Sequence, residues 1–202
     1  MTKTITKDWT GNNKTTFTTL GASSHSDHER ETNDYYATDS KCAIDLINTG
    51  ILFEKIWENA CGEGHLAKVF QERDLLARAT DLIDRGYRYG DGGVDFLETN
   101  EQWYGDIVTN PPYKYAQEFC EKSIQTIQDG RYVAMFLKLT FLEGQKRKSF
   151  FKKYPPKYLY VYSQRQKCAL NGNFDTTGSS AVAYAWFVWQ KGFTGDTTIK
   201  WI

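Results

Sequence analysis

Four consecutive residues, Asn110-Pro111-Pro112-Tyr113, follow an apolar stretch in the segment GDIVTNPPY. Two prolines in a row remove two backbone donors and fix two φ angles, and the residue before each is held out of the helical region. A strand entering this segment must pass through a stiff, extended corner before a helix can begin, and the corner sets the angles of Asn110 and Tyr113. Their types suit one chemistry. The Asn110 side-chain carbonyl and the rigidly displayed Pro111 carbonyl can both accept hydrogen bonds from one planar NH₂ group, while Tyr113 offers a face for stacking. Such contacts favour a more tetrahedral nitrogen and direct its lone pair at an electrophile. Catalysis then rests on positioning and electrostatics, without a strong general base. A purely structural corner would account for the prolines but not for the residues that flank them.

Three earlier segments carry compatible groups. Glu58-Asn59-Ala60-Cys61-Gly62-Glu63-Gly64 reads as a strand end turning into a helix, with glycines that let a ligand approach the backbone. It is neither GxGxxG nor a P-loop, so phosphate cradling is not its expected use. Asp81 follows the apolar stretch 75–79; a carboxylate there can accept two hydrogen bonds from a ribose diol, or cap a turn. Asp95-Phe96 sets an acceptor beside an aromatic ring. That pair suits the amino group and face of an adenine, or a turn with a core Phe.

The elements that must position these residues are legible as an alternation. The segment TDSKCAIDLINTG predicts a helix capped by Thr38 or Asp39 and stopped at Gly50. EKIWENAC predicts a strand, HLAKVFQER a helix, LLARATDLI a strand, and GGVDFLE a third short strand or its exit. GDIVTNPPY, the helix YAQEFCEKSIQTIQDG, the strand RYVAMFLKL and the basic helix EGQKRKSFFKKY follow. YLYVYS and AVAYAWFVWQK close the chain as antiparallel neighbours. Strands alternating with helices imply an α/β fold, a mostly parallel sheet with an antiparallel C-terminal strand and helices on both faces. Its ligands are expected at the carboxyl ends of the strands. Residues 1–33, rich in Thr, Asn and Ser, read as a polar N-terminal arm, and 34–202 as one catalytic domain.

With 25 basic and 25 acidic residues, global charge argues for no particular partner. No apolar run is long enough to span a bilayer, and MTKTITKDW has no signal-peptide core. Cys42, Cys61, Cys120 and Cys168 lack CxxC spacing and read as reduced thiols of a cytoplasmic protein. His25 and His28 have no third ligand at suitable spacing, so no metal is expected. His65, directly after the glycine turn, reads as a helix-start residue.

Together these residues resemble the class I S-adenosylmethionine-dependent methyltransferases, specifically the amino-methylating group with an Asn-Pro-Pro-Tyr signature, of the adenine-N6 DNA methyltransferase type. The likeness covers roughly residues 34–190. The 58–65 turn, TDLIDRGY and MFLKLTFLEG are also similar to small phage-borne proteins of this type. The resemblance implies a Rossmann-like sheet and S-adenosyl-L-methionine as cofactor. Glu58 with Ala60, Cys61, Gly62 and Gly64 would hold its methionine moiety. Asp81 would hold the ribose, with Leu82 or Ile83 against the adenine, and Asp95 and Phe96 would take the adenine edge and face. Tyr36-Ala37-Thr38-Asp39 is similar to a segment that touches the cofactor carboxylate, and Asn110 would border both cofactor and target. The family usually has Pro at the position of Asp39 and often Pro at that of Asn59.

The signature is shared by enzymes acting on adenine N6 in DNA, on RNA bases and on protein glutamine. Between Lys138 and Lys167 there are nine basic residues and one acid, Glu143. Lys146-Arg147-Lys148, with Lys152, Lys153 and Lys157, is interleaved with Phe150, Phe151 and Tyr154. This favours phosphate contact and hence nucleic acid, DNA over RNA, against a solvated amphipathic helix. A base flipped out of a duplex needs stacking platforms; Tyr113 is the first candidate, and Tyr184 or Trp186 the second unless they are core. Target selection would fall to loop 164–180, the basic segment, the arm, or a protein partner. The alternatives are the same chemistry on RNA or a protein amide, and a non-catalytic cofactor-binding protein active against restriction. Intact Asn110 and Tyr113 favour the enzyme.

Overall fold

The computed structural model describes residues 36–166, 168–170 and 182–202. The polar arm 1–33 with His25 and His28, and most of loop 164–180, lie outside them. The elements in chain order are β1 (Tyr36–Thr38), α1 (Lys41–Ile47), β2 (Ile56–Glu58), α2 (His65–Gln71), β3 (Leu76–Ala79), β4 (Ile107–Thr109), α3 (Ala116–Thr126), β5 (Tyr132–Lys138), α4 (Arg147–Lys153), β6 (Tyr158–Val161), β7 (Cys168–Leu170), β8 (Tyr184–Gln190) and β9 (Thr198–Trp201). Seven strands form one sheet in the order β3-β2-β4-β5-β8-β6-β9. The neighbours β3/β2, β2/β4, β4/β5 and β6/β9 are parallel, and β8 enters antiparallel between β5 and β6.

The sheet is buried on both faces because helices pack on each. On β5, Val133, Met135 and Leu137 face a cluster containing Phe119, Cys120 and Ile124 of α3 and Phe150 of α4. Ala134 and Phe136 face the opposite cluster, with Cys42 and Leu46 of α1 and Leu66 and Phe70 of α2. Strands buried twice carry continuous apolar runs, as β8 does in Tyr184-Ala185-Trp186-Phe187-Val188-Trp189. The chain runs outward from β2 to β3 and returns to β4 on the other side of β2. The strand order therefore reverses beside the carboxyl ends of β2 and β4, the position where open α/β sheets leave a crevice.

Three local expectations are corrected. GGVDFLE is no strand: Asp95 caps a single 3₁₀ turn, Phe96–Glu98, by accepting the Leu97 N–H. Thr38 does not cap α1 but ends β1, which pairs antiparallel with β7; Asp39 Oδ1 accepts the Lys41 N–H at 2.9 Å. The short strand β9 lies at the sheet edge with all four residues exposed, so it lacks the alternation that would reveal it. No helix among the described residues is long and apolar enough to cross a membrane.

Candidate active site

The end of β2 and the start of α2 are joined by a turn whose backbone requires glycine. Gly62 has φ +54 and Gly64 φ +79, values that L side chains rarely adopt. A Cβ on Gly64 would also stand 2.4 Å from the Tyr87 ring. The glycine here admits that ring, whereas the sequence suggested room for a ligand. Glu58, Asn59, Ala60 and Cys61 line a cavity of about 460 Å³; Gly62 and Gly64 are not on its wall. Gly62 acts from behind it, donating its N–H to Asp81 Oδ2 at 2.8 Å. The other oxygen of Asp81 accepts the Ile83 N–H at 2.9 Å. Each carboxylate oxygen is thus anchored to backbone and keeps acceptor capacity for a second donor.

Thr38, Leu82, Ile83, Asp95 and Phe96 also line this cavity. Phe96 contributes little surface there, being 1% exposed, and its ring stands edge-on to Trp57 at 5.2 Å. It is chiefly a core residue, and Val94 and Leu97, not foreseen from the sequence, line the same part of the wall. Of Tyr36 the backbone alone is described, paired with Leu170. His65 is the first residue of α2 and also faces the cavity, where burial lowers its pKa and favours the neutral imidazole.

From the other side, β4 runs into the proline corner. Pro112 is extended (φ −54, ψ 122) and a single 3₁₀ turn, Tyr113–Tyr115, intervenes before α3, as two successive prolines dictate. Asn110, Pro111, Pro112 and Tyr113 all reach the same cavity as Glu58, Asp81 and Asp95. Lys114 and Tyr115, next along the chain, also line it. The Tyr113 ring is backed by residues of the β5/β8 pair, in which Lys138 lies opposite Tyr184. Lys138 Nζ sits 4.5 Å from the ring centroid and the Tyr184 ring 6.3 Å away. As a neighbour of this corner Lys138 is not legible from the sequence, where it stands as the first residue of the basic stretch and as a charge ending an otherwise apolar strand.

The cavity floor is rich in acceptors. Glu58 is 2% exposed and its Oε2 has no hydrogen-bond partner among the described residues, nor have Thr38 Oγ1 and Asn59 Oδ1. Burial, reinforced by the nearby negative charge of Asp81, raises the Glu58 pKa well above the usual carboxylate range. Burial likewise raises the Cys61 thiol, so it carries no thiolate at neutral pH. Buried acceptors without partners are costly. A ligand bringing an ammonium group, hydroxyl donors and an edge amine would satisfy them, which fits the ammonium group, ribose diol and purine amine of S-adenosylmethionine.

The other proposed substrate residues are dispersed. Trp186 has no exposed surface; its indole N–H donates to Cys42 O at 3.0 Å and to Tyr162 Oη at 3.2 Å. This ring is core and offers no platform to a substrate. Tyr184 is 4% exposed and stacked on Phe136 at 5.1 Å, so it supports Tyr113 from below. Arg147 turns back on its own segment, with Nη1 donating to Thr140 O, Phe141 O and Glu143 O at 3.1–3.3 Å. Its neighbours Lys146 and Lys148 are exposed.

No family model matches this chain, and no curated protein does. Solved structures share its fold. A Listeria monocytogenes protein named as a class I S-adenosylmethionine-dependent methyltransferase aligns with TM-score 0.61 at 14% identity, covering 87% of this chain and 68% of its own. A Pyrococcus horikoshii protein named as an RNA methyltransferase aligns with TM-score 0.56 at 11% identity, over 89% of this chain and 99% of its own. The type IIG restriction endonuclease BpuSI aligns with TM-score 0.52 at 16% identity, over 88% of this chain and 27% of its own. At these identities the likeness establishes the fold alone, a mixed α/β sheet that this chain shares with proteins named as methyltransferases.

Proposed function

We propose that the protein is an S-adenosylmethionine-dependent amino-methyltransferase acting on adenine N6, in DNA. The observation that carries this reading is convergence: the Asn110–Tyr113 corner and the acceptors of β2 and β3 open into one cavity at the point where strand order reverses. The bound cofactor supplies a methyl group activated by its sulfonium. Asp81, pinned by two backbone N–H groups, accepts from the ribose diol, and Glu58 with Thr38 receives the ammonium. Asp95 and the apolar wall around Phe96 hold the adenine. Asn110 Oδ1 and the Pro111 carbonyl accept from the target amine and aim its lone pair at the methyl group, while Tyr113 stacks on the base. As the new N–C bond formed, the C–S bond would break with its electron pair left on sulfur as a neutral thioether. The surplus proton of the alkylated nitrogen, then strongly acidic, would pass to water; no general base is needed, and rate comes from a fixed arrangement of dipoles. A nucleic-acid target is supported by Lys114 on the cavity wall and by exposed Lys146 and Lys148 beyond β5. RNA adenine would be held by the same contacts.

The test is mass spectrometry of nucleosides from the DNA and RNA pools of cells making the protein, with Asn110→Ala as control. N6-methyladenine in DNA, absent from the control, supports the reading. The mark confined to RNA moves the substrate, and its absence from both pools, with S-adenosylmethionine bound in calorimetry, favours a non-catalytic binder.

A further inference from the structure

Adjacent residues at the end of β2 point to opposite faces of the sheet. Glu58 faces α2 and accepts a backbone hydrogen bond from Ala67. Asn59 faces α3, donating Nδ2–H to Ser123 Oγ at 3.4 Å. Asn59 is 2% exposed, borders the cavity, and its Oδ1 has no hydrogen-bond partner among the described residues. A buried amide oxygen left in this state costs about as much as a lost hydrogen bond. The wall on this side is otherwise apolar: Leu97 and Phe119 line it, with the largely buried Phe96 behind, its ring centroid 5.4 Å from that of Phe119. Such a surface suits a planar ring, and an isolated acceptor beside it suits a donor on the ring's edge. Asp95, on the same cavity, has one oxygen committed to the Leu97 N–H at 3.0 Å.

We infer that Asn59 is a specificity-determining residue, whose Oδ1 accepts a hydrogen bond from the exocyclic amine of the cofactor's purine. The inference rests on the cofactor reading above and adds to it a base-selecting contact. An exocyclic amine has two N–H donors, and one acceptor such as Asp95 satisfies one of them; Asn59 takes the second. The site discriminates through polarity: a 6-oxo purine presents an oxygen where the amine was, opposite the Asn59 oxygen, and leaves that buried group unsatisfied.

Calorimetry with S-adenosylhomocysteine and its inosine counterpart tests this without turnover. The wild-type protein should prefer the adenine ligand. Asn59→Leu should reduce affinity for it about tenfold and leave the inosine ligand nearly unchanged, so that the preference shrinks by the same factor. Asn59→Ser, which keeps a hydroxyl for Ser123 but withdraws the acceptor from the cavity, should do likewise if the leucine variant does not fold. A preference retained at the wild-type level in a folded variant would overturn the inference and make Asn59 a structural tie between β2 and α3. Failure of the wild-type protein to bind either ligand would overturn the cofactor reading itself.

Discussion

The cavity wall and the basic segment 146–148 both carry charge, yet the fold treats them in opposite ways. In the cavity each polar group is set in place before any ligand arrives. Both oxygens of Asp81 sit on backbone N–H groups, Glu58 is fully enclosed, and Asn110 is held by a double-proline corner. In the basic segment, Arg147 is spent on its own turn while Lys146 and Lys148 project from the surface. Preorganised groups act strongly because no reorganisation is required of them. Exposed lysines act weakly one at a time, through screened attraction. Substitutions in the two regions should therefore differ in size and in kind.

The largest effect belongs to the corner. Asn110→Ala should leave fold and cofactor affinity near wild type while turnover falls about 10²–10³-fold, the usual consequence of losing one preorganised electrostatic partner. Single-turnover rates together with calorimetry check both parts. Loss of structure with specific activity intact would instead make the tetrapeptide a mere bend. Asp81→Ala should come next. Losing a charge-assisted ribose contact costs roughly 1.5–3 kcal/mol, about tenfold to a hundredfold in affinity. It also deprives the Gly62 and Ile83 N–H groups of their acceptor, so the melting temperature should fall as well. Unchanged binding by a folded variant would remove Asp81 from the site.

Glu58 makes the contrast visible through pH. Its pKa in the free protein is raised by burial, so the neutral form is the one that folding favours. Its contribution to stability is present at low pH and is lost as pH rises through the raised pKa. A cationic ligand favours the carboxylate. Binding should therefore release a proton below that pKa, and affinity should rise with pH, at most tenfold per pH unit, until the pKa is passed. Calorimetry in buffers of differing ionisation enthalpy counts the proton, and Glu58→Gln should abolish both the release and the slope. A wild-type affinity that is flat across this range would show that the carboxyl stays neutral in the complex.

The smallest effects belong to the basic segment. Lys146→Gln with Lys148→Gln should lower the slope of log affinity for duplex DNA against log salt by about 2, at roughly 0.9 per phosphate contact, without altering cofactor binding. Arg147→Gln alone should leave that slope unchanged and cost about 1 kcal/mol of stability, because its guanidinium serves backbone carbonyls. An Arg147 effect on the slope as large as that of the lysines would erase the distinction between them.

The amino-acid sequence by itself determined what depends on neighbours along the chain. Apolar runs of strand length alternating with helical periods specify an α/β sheet, and two prolines impose an extended corner wherever they occur. The four chemistry-bearing segments could be recognised for the same reason: each is contiguous, and three of them, at Glu58, Asp81 and Asn110, lie at the end of a strand. The tertiary structure decided what depends on register and packing. It made Phe96 and Trp186 core residues, because a ring's exposure is set by what packs on it, and Trp186 sits mid-strand in the doubly covered β8. It turned Gly64 toward Tyr87, bent Arg147 onto Thr140 and Phe141, and placed Lys138 beside the Tyr113 ring through the pairing of β4 with β5. It left Asn59 Oδ1, beside the cavity, without a hydrogen-bond partner among the described residues. That last feature depends on which sheet face the residue takes and on which helix covers that face, and neither follows from the residue's immediate neighbours in the chain.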